Sequence, residues 1–137
     1  MPPHCNTVLN IDVQLTAGKI RPFLECLGLQ GRSAYLAFFH FDFLLFPLVY
    51  ANVAHRALTL AWPESRPLLP AAVVVFDVLE NSGIVFLLLD FPLRHKGVEE
   101  LVPWLLRLKW ATVAAIVVSV VVGATSPRTP TRKHKLR

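Results

Sequence analysis

Charged residues are scarce in this sequence. Asp, Glu, Lys and Arg make up 17% of its 137 residues, whereas soluble domains carry about 25%. The mean hydropathy is +0.51, and the apolar residues lie in blocks instead of being spread evenly. This pattern favours a membrane protein. The alternative is a small soluble helical protein with a very apolar core.

The motifs of common enzyme and metal sites are also missing. The sequence has no Gly-rich phosphate loop, no cluster of Cys and His, and no evident Ser-His-Asp set. Its two cysteines, Cys5 and Cys26, have no metal or redox spacing, so we expect two free thiols, with S-acylation of Cys26 as the alternative. Catalytic residues therefore stay unknown, and we expect no metal and no cofactor.

Targeting and glycosylation signals are absent from the N-terminal part. There is no Asn-x-Ser/Thr sequon, and no basic region followed by an apolar core that would indicate a cleaved signal peptide. Five of the 14 basic residues lie instead in the last ten positions, without aromatic residues among them. Such a tail is typical of a membrane flank, and we expect no nucleic-acid partner.

The most informative stretch runs from Ala71 to Leu89. It is long enough for an α-helix to cross the hydrocarbon core of a bilayer. Asp77, Glu80 and Asn81 lie in its middle, at spacings that place them on one helix face. Because a charged residue at the bilayer centre costs about 3 kcal/mol on insertion scales, these side chains must face protein, water or a ligand.

Two further stretches, 34–54 and 106–124, also predict spans. The first carries Asp42 near its middle and Pro47, which should kink the helix. On the second, small residues recur at every fourth position, and this face should pack against another span: Ala111, Ala115, Ser119 and Gly123.

Amphipathic segments lie beside these spans. Residues 17–30 predict an amphipathic helix on the membrane surface, with Gly28 and Gly31 at its end. Aromatic and basic residues before the third span predict an interfacial belt with its cations extended toward water: Trp104, Arg107, Lys109 and Trp110.

The sequence therefore predicts an all-α integral membrane helical bundle in a single domain, 1–137. It comprises about three transmembrane helices, the N-terminal amphipathic interfacial helix and a basic tail, 125–137. The positive-inside count is tied between the two orientations. Lys135 and Lys133, third and fifth from the end, resemble the dilysine retrieval signal of endoplasmic-reticulum membrane proteins. That resemblance implies a cytosolic tail and, with three spans, a lumenal N-terminus.

The polar positions form a pattern of GRxxY at Gly31–Tyr35, D-x4-P-x2-Y at Asp42–Tyr50, DxxEN at Asp77–Asn81, and then Lys109-Trp110. Over about residues 20–112 it resembles a group of small, uncharacterised multi-span membrane proteins. The resemblance implies a multi-span fold and no established activity. Members of that group usually have another span ahead of the GR turn, so we expect a shortened N-terminal part here.

The candidate site is an intramembrane polar cluster to which two spans contribute. We expect Asp42, Asp77, Glu80 and Asn81 to converge, with Arg32 and Tyr35 closing the site toward the surface. The main hypothesis is a binding or assembly role in the membrane of the endoplasmic reticulum, with lipid and other membrane proteins as partners. The alternatives are a proton- or cation-coupled transporter-like protein, an intramembrane lipid-modifying enzyme, or purely structural pairing between helices.

Overall fold

The computed structural model describes residues 9, 12–65 and 67–126, without the side chains of residues 40–42 and 44. These residues form four α-helices and no strand: α1 (Ala17–Leu44), α2 (Phe46–Ala61), α3 (Leu68–Leu89) and α4 (Lys96–Thr125). The all-α class is thus confirmed for the described part of the chain. Lys133 and Lys135 lie outside it.

Helices α3 and α4 are each long and apolar enough to cross a membrane, by length and composition. They form an antiparallel pair and make the most extensive contact in the described structure. The span predicted at 71–89 agrees closely with α3. The third span was predicted to begin at 106, but α4 is continuous from Lys96, with Pro103 inside it.

The stretch predicted as the first span is divided between two helices. α1 ends at Leu44 and α2 begins at Phe46, with Pro47 in the first turn of α2. Proline fits this place because the first turn of a helix leaves its N–H groups without helical partners. The break at Leu45 agrees with the kink expected from Pro47.

The N-terminal part of α1 is the expected amphipathic helix, and the chain changes direction at Gly28 (φ 62°, ψ −176°). A left-handed φ of this kind is easily adopted only by glycine. The apolar side of this segment is buried, packed against α3 and α4: Ile20, Phe23, Leu24 and Leu27. This apolar side is therefore covered by other helices of the protein.

Two apolar cores stabilise the helices. The larger joins the N-terminal part of α1 to the end of α3 and the beginning of α4; the smaller joins α2 to the other ends of α3 and α4 around Leu58, Val73 and Ile116. In the larger core, a Cβ on Gly83 would lie 2.7 Å from Val102 Cγ2. The absence of a side chain at Gly83 thus brings α3 and α4 close together beside the polar residues.

Candidate functional site

The polar residues of α3 face the protein interior between the two cores. Asp77 is 6% exposed, and Glu80 and Asn81 are fully buried. They lie on the same side of α3 as the buried Val73 and Ile84. The predicted common face is confirmed.

Lys109 of α4 pairs with both acids of this face. Its Nζ lies 3.0 Å from Asp77 Oδ1 and 2.5 Å from Glu80 Oε2, and the residue is 8% exposed. The prediction that Lys109 extends toward water at the membrane interface is wrong. Because α4 begins at Lys96, Lys109 lies more than three turns inside the helix.

Asn81 completes the polar cluster, a name used below for Asp77, Glu80, Asn81 and Lys109. Its Nδ2 donates a hydrogen bond to Asp77 Oδ2 over 3.3 Å. Its buried Oδ1 has no hydrogen-bond partner among the described residues. The cluster therefore joins α3 to α4 by charge-assisted hydrogen bonds, the strong kind, whereas the sequence predicted pairing with the first span.

The Lys109 ammonium lies between the two carboxylates, in the position that a bound cation would need. Within the described residues, no group of three or more His, Cys, Asp or Glu side chains could hold a metal ion. The arrangement is suited to hydrogen bonding with a polar ligand group. It is less suited to holding an inorganic cation, because that cation would have to displace Lys109.

Of the two remaining candidates Tyr35 and Asp42, Tyr35 lies beside the polar cluster, and the side chain of Asp42 is not described. Tyr35 is buried beside Phe23 and Phe39, and its hydroxyl accepts a hydrogen bond from the Leu9 backbone N–H over 3.2 Å. It also lines a cavity together with Asp77 and Lys109. The side chain of the remaining acid, Asp42, lies outside the described part of the chain.

Arg32 contacts groups away from the polar cluster. Its Nη1 donates to the Leu24 carbonyl over 3.0 Å, and its guanidinium lies 4.2 Å from the centre of the Phe91 ring. The Leu24 carbonyl is close to Gly28, where the regular helical hydrogen bonding is interrupted. Among the described contacts, Arg32 therefore stabilises the bend in α1 and does not close the site as predicted.

A cavity of about 970 Å³ lies next to the polar cluster, bounded by the end of α1, α2, α3 and α4. Its walls are apolar except near four residues that bring polar groups: Tyr35, Tyr50, Asp77 and Lys109. Three alanines of α2 leave the space open on one side, at positions 51, 54 and 57. Sequence analysis missed this cavity, although the alanine spacing was a visible signal.

The row of small residues on α4 contacts α2 only at its C-terminal end. Trp62, at the end of α2, donates from Nε1 to the Ser119 carbonyl over 2.9 Å, and a Cβ on Gly123 would lie 2.6 Å from that nitrogen. Ala111 and Ala115 are exposed. The predicted packing is thus found at the C-terminal part of this face.

Cys26 is disulfide-bonded. The expectation of a free thiol at this position, and with it S-acylation, is therefore wrong. Cys5, the other cysteine of the sequence, lies outside the described residues. Disulfides persist in oxidising compartments.

No protein-family model, no curated protein and no solved structure matches this chain. A function can therefore be inferred only from the geometry of the polar cluster and of the adjacent cavity.

Proposed function

We propose that the protein is a small three-span membrane protein of the endoplasmic reticulum that binds a molecule or a partner protein at the polar cluster. The observation that carries this proposal is the buried Asp77–Lys109 ion pair, which forms part of the wall of the cavity. Well-packed apolar residues of similar volume often hold two helices together as well as a buried ion pair does, so stability alone does not account for this pair.

The exposed surface of the helices supports a membrane location. Of the 18-residue apolar segment of α3 only 39% is buried within the protein, and of the corresponding segment of α4 only 22%. Large apolar side chains such as Leu79, Leu101 and Val118 are about half exposed. In water this surface would favour aggregation, whereas in a bilayer it faces lipid. The part of α1 after Gly28, together with α2, is the third crossing in this proposal.

Washing of membranes with alkaline carbonate tests the membrane location. An integral protein should stay in the pellet, because its helices remain inserted when peripheral proteins are released. Release of this protein into the supernatant would contradict the three-span proposal.

Two features support one orientation. The Arg21 side chain donates to the Pro92 carbonyl over 3.5 Å, so the N-terminal helix and the α3–α4 connector lie on the same side. The disulfide at Cys26 favours the oxidising lumen for that side. With three crossings the tail is then cytosolic, where a dilysine signal is read.

The proposed dilysine retrieval signal is tested by replacing Lys133 and Lys135 with Ser. The variant should move to later secretory compartments, as judged by microscopy against compartment markers, while a variant with Arg128 and Arg132 replaced by Ser controls for the loss of charge. If the lysine variant keeps its location, or if both variants move alike, the dilysine proposal is wrong.

Isosteric changes test the binding role. Asp77→Asn and Glu80→Gln remove the negative charges with little change in volume. Glu100→Gln, at an exposed position of α4, is the matched control. Each protein is extracted in mild detergent, and the lipids and proteins that it retains are compared by native mass spectrometry. We expect the two cluster variants to lose a bound species that the control keeps. Folded cluster variants that retain the same species in the same amount would contradict the proposal.

A further inference from the structure

We propose that the cavity holds one uncharged lipid with a free hydroxyl in its head group, of the diacylglycerol class. The hydroxyl would lie at Asp77 and Lys109, with the acyl chains along the apolar walls. This assignment names the ligand of the proposed binding function and therefore rests on it.

The cavity walls require an occupant that is mostly apolar. They are formed largely by aliphatic side chains, among them Val73, Val113, Ile116 and Val120. Water would find few hydrogen-bond partners along these walls, because only four lining residues bring polar groups. A bilayer, by contrast, supplies acyl chains at high concentration beside any opening between helices.

The size and shape of the cavity suit a lipid chain. Its volume of about 970 Å³ lies at the upper end of the range of about 300–1,000 Å³ that is usual for small-molecule sites. Its α4 wall extends from Lys109 to Val121, which is about 18 Å along a helix axis. An inorganic ion or a small polar solute would leave most of this length empty.

The charges of Asp77 and Lys109, at one end of the cavity's α4 wall, favour a neutral polar group. Asp77 Oδ1 and Lys109 Nζ, 3.0 Å apart, present an acceptor and a donor side by side. An anionic head group would be repelled by Asp77 and Glu80, and a cationic head group would be repelled by Lys109. A hydroxyl can donate to the carboxylate and accept from the ammonium at the same time. A head group without net charge also avoids the cost of placing a further charge at mid-depth in the membrane.

The test uses a diacylglycerol carrying a photoreactive diazirine in one acyl chain, with the purified full-length protein in detergent. We expect saturable labelling in the α2 and α4 segments that line the cavity, located by peptide mass spectrometry. Unlabelled diacylglycerol should compete at least tenfold better than triacylglycerol, which lacks the hydroxyl, and than phosphatidic acid, which carries a charged head group. This comparison uses the wild-type protein and does not depend on the folding of a variant.

Variants then place the site. Ala57→Phe, which fills the cavity from α2, should reduce labelling at least tenfold. Asp77→Asn, which removes the negative charge proposed to bind the hydroxyl, should reduce labelling by at least the same factor. Ala114→Phe, at an exposed position of α4 outside the cavity, should be labelled like the wild type.

The outcomes separate the two proposals. Equal competition by triacylglycerol, or better competition by phosphatidic acid, overturns the assignment of a neutral hydroxyl lipid. If the protein shows no saturable labelling but retains a partner protein that Asp77→Asn releases, the lipid assignment is wrong and the proposed binding function stands. If no retained species depends on Asp77, both are wrong.

Discussion

Replacing Lys109 with Met should destabilise the protein strongly. The change removes the ammonium that lies between Asp77 and Glu80 and keeps most of the side-chain volume. Lys109 is 8% exposed, and the Glu80 side chain is fully buried. Water therefore has little access to compensate for the lost charge.

The magnitude follows from the two distances. At an effective dielectric constant of about 20, unit charges 3.0 Å and 2.5 Å apart attract each other by about 5 to 7 kcal/mol per pair. Desolvation costs several kcal/mol for each of the three ions, which offsets most of this attraction. Removing one partner retains the cost and loses the attraction, and this typically lowers the free energy of unfolding by about 3–5 kcal/mol.

The same reasoning predicts recovery when the acids are neutralised as well. Lys109→Met combined with Asp77→Asn and Glu80→Gln leaves no uncompensated charge, so the triple variant should regain at least half of the lost stability. Lys96→Met, at an exposed position in the first turn of α4, is the control and should stay within about 0.5 kcal/mol of the wild type.

Unfolding of the detergent-solubilised protein by added sodium dodecyl sulfate measures these differences. Tryptophan fluorescence can follow the transition, because Trp110 is adjacent to Lys109. The reasoning would be refuted by a Lys109→Met variant within about 1 kcal/mol of the wild type. It would also be refuted by a triple variant no more stable than the single one.

Three further outcomes are expected. Gly83→Ala should lower stability by about 1–3 kcal/mol through the clash with Val102, whereas Gly97→Ala, with open space around it, should be neutral or slightly stabilising; equal effects in the same unfolding assay would contradict the close approach. Cys26 should react with a maleimide only after reduction, and labelling of the folded, unreduced protein would contradict the disulfide. Trp62→Phe should cost about 1 kcal/mol through loss of the indole hydrogen bond to α4, and an unchanged unfolding midpoint would show that this bond contributes nothing.

Much of the helical framework could be predicted from hydrophobic length and from Gly and Pro. The apolar block at 71–89 indicated α3, Pro47 indicated a kink close to the break before α2, and Gly28, expected at the end of the N-terminal helix, lies at the bend in α1. Such signals are local, so sequence is sufficient to find them. Which face of the N-terminal helix is covered by protein depends on distant packing, and the sequence pattern could not distinguish burial against α3 and α4 from contact with lipid.

The candidate site was predicted on α3 and missed on α4. Spacing alone placed Asp77, Glu80 and Asn81 on one face, because helix geometry fixes it. The sequence placed Lys109 at an interface because it stands with Arg107 between Trp104 and Trp110. Its helical phase gave the better signal, since Lys109 shares a buried face with residues three, four and seven positions away: Val102, Leu105, Leu106 and Ile116.

The two ends of the bundle differ in how firmly they are packed, and this bears on how a ligand could reach the polar cluster. On the N-terminal side the larger core covers the cluster, and Cys26 of the same segment is disulfide-bonded. On the other side the smaller core has only three fully buried apolar residues among those described, and the indole of Trp62 bonds α2 to α4 there. Because moving α2 disrupts less buried apolar surface than moving the N-terminal helix, access between α2 and α4 has the lower free-energy cost. A cross-link between these two helices should therefore slow ligand exchange, whereas reduction of the disulfide should leave the exchange rate nearly unchanged.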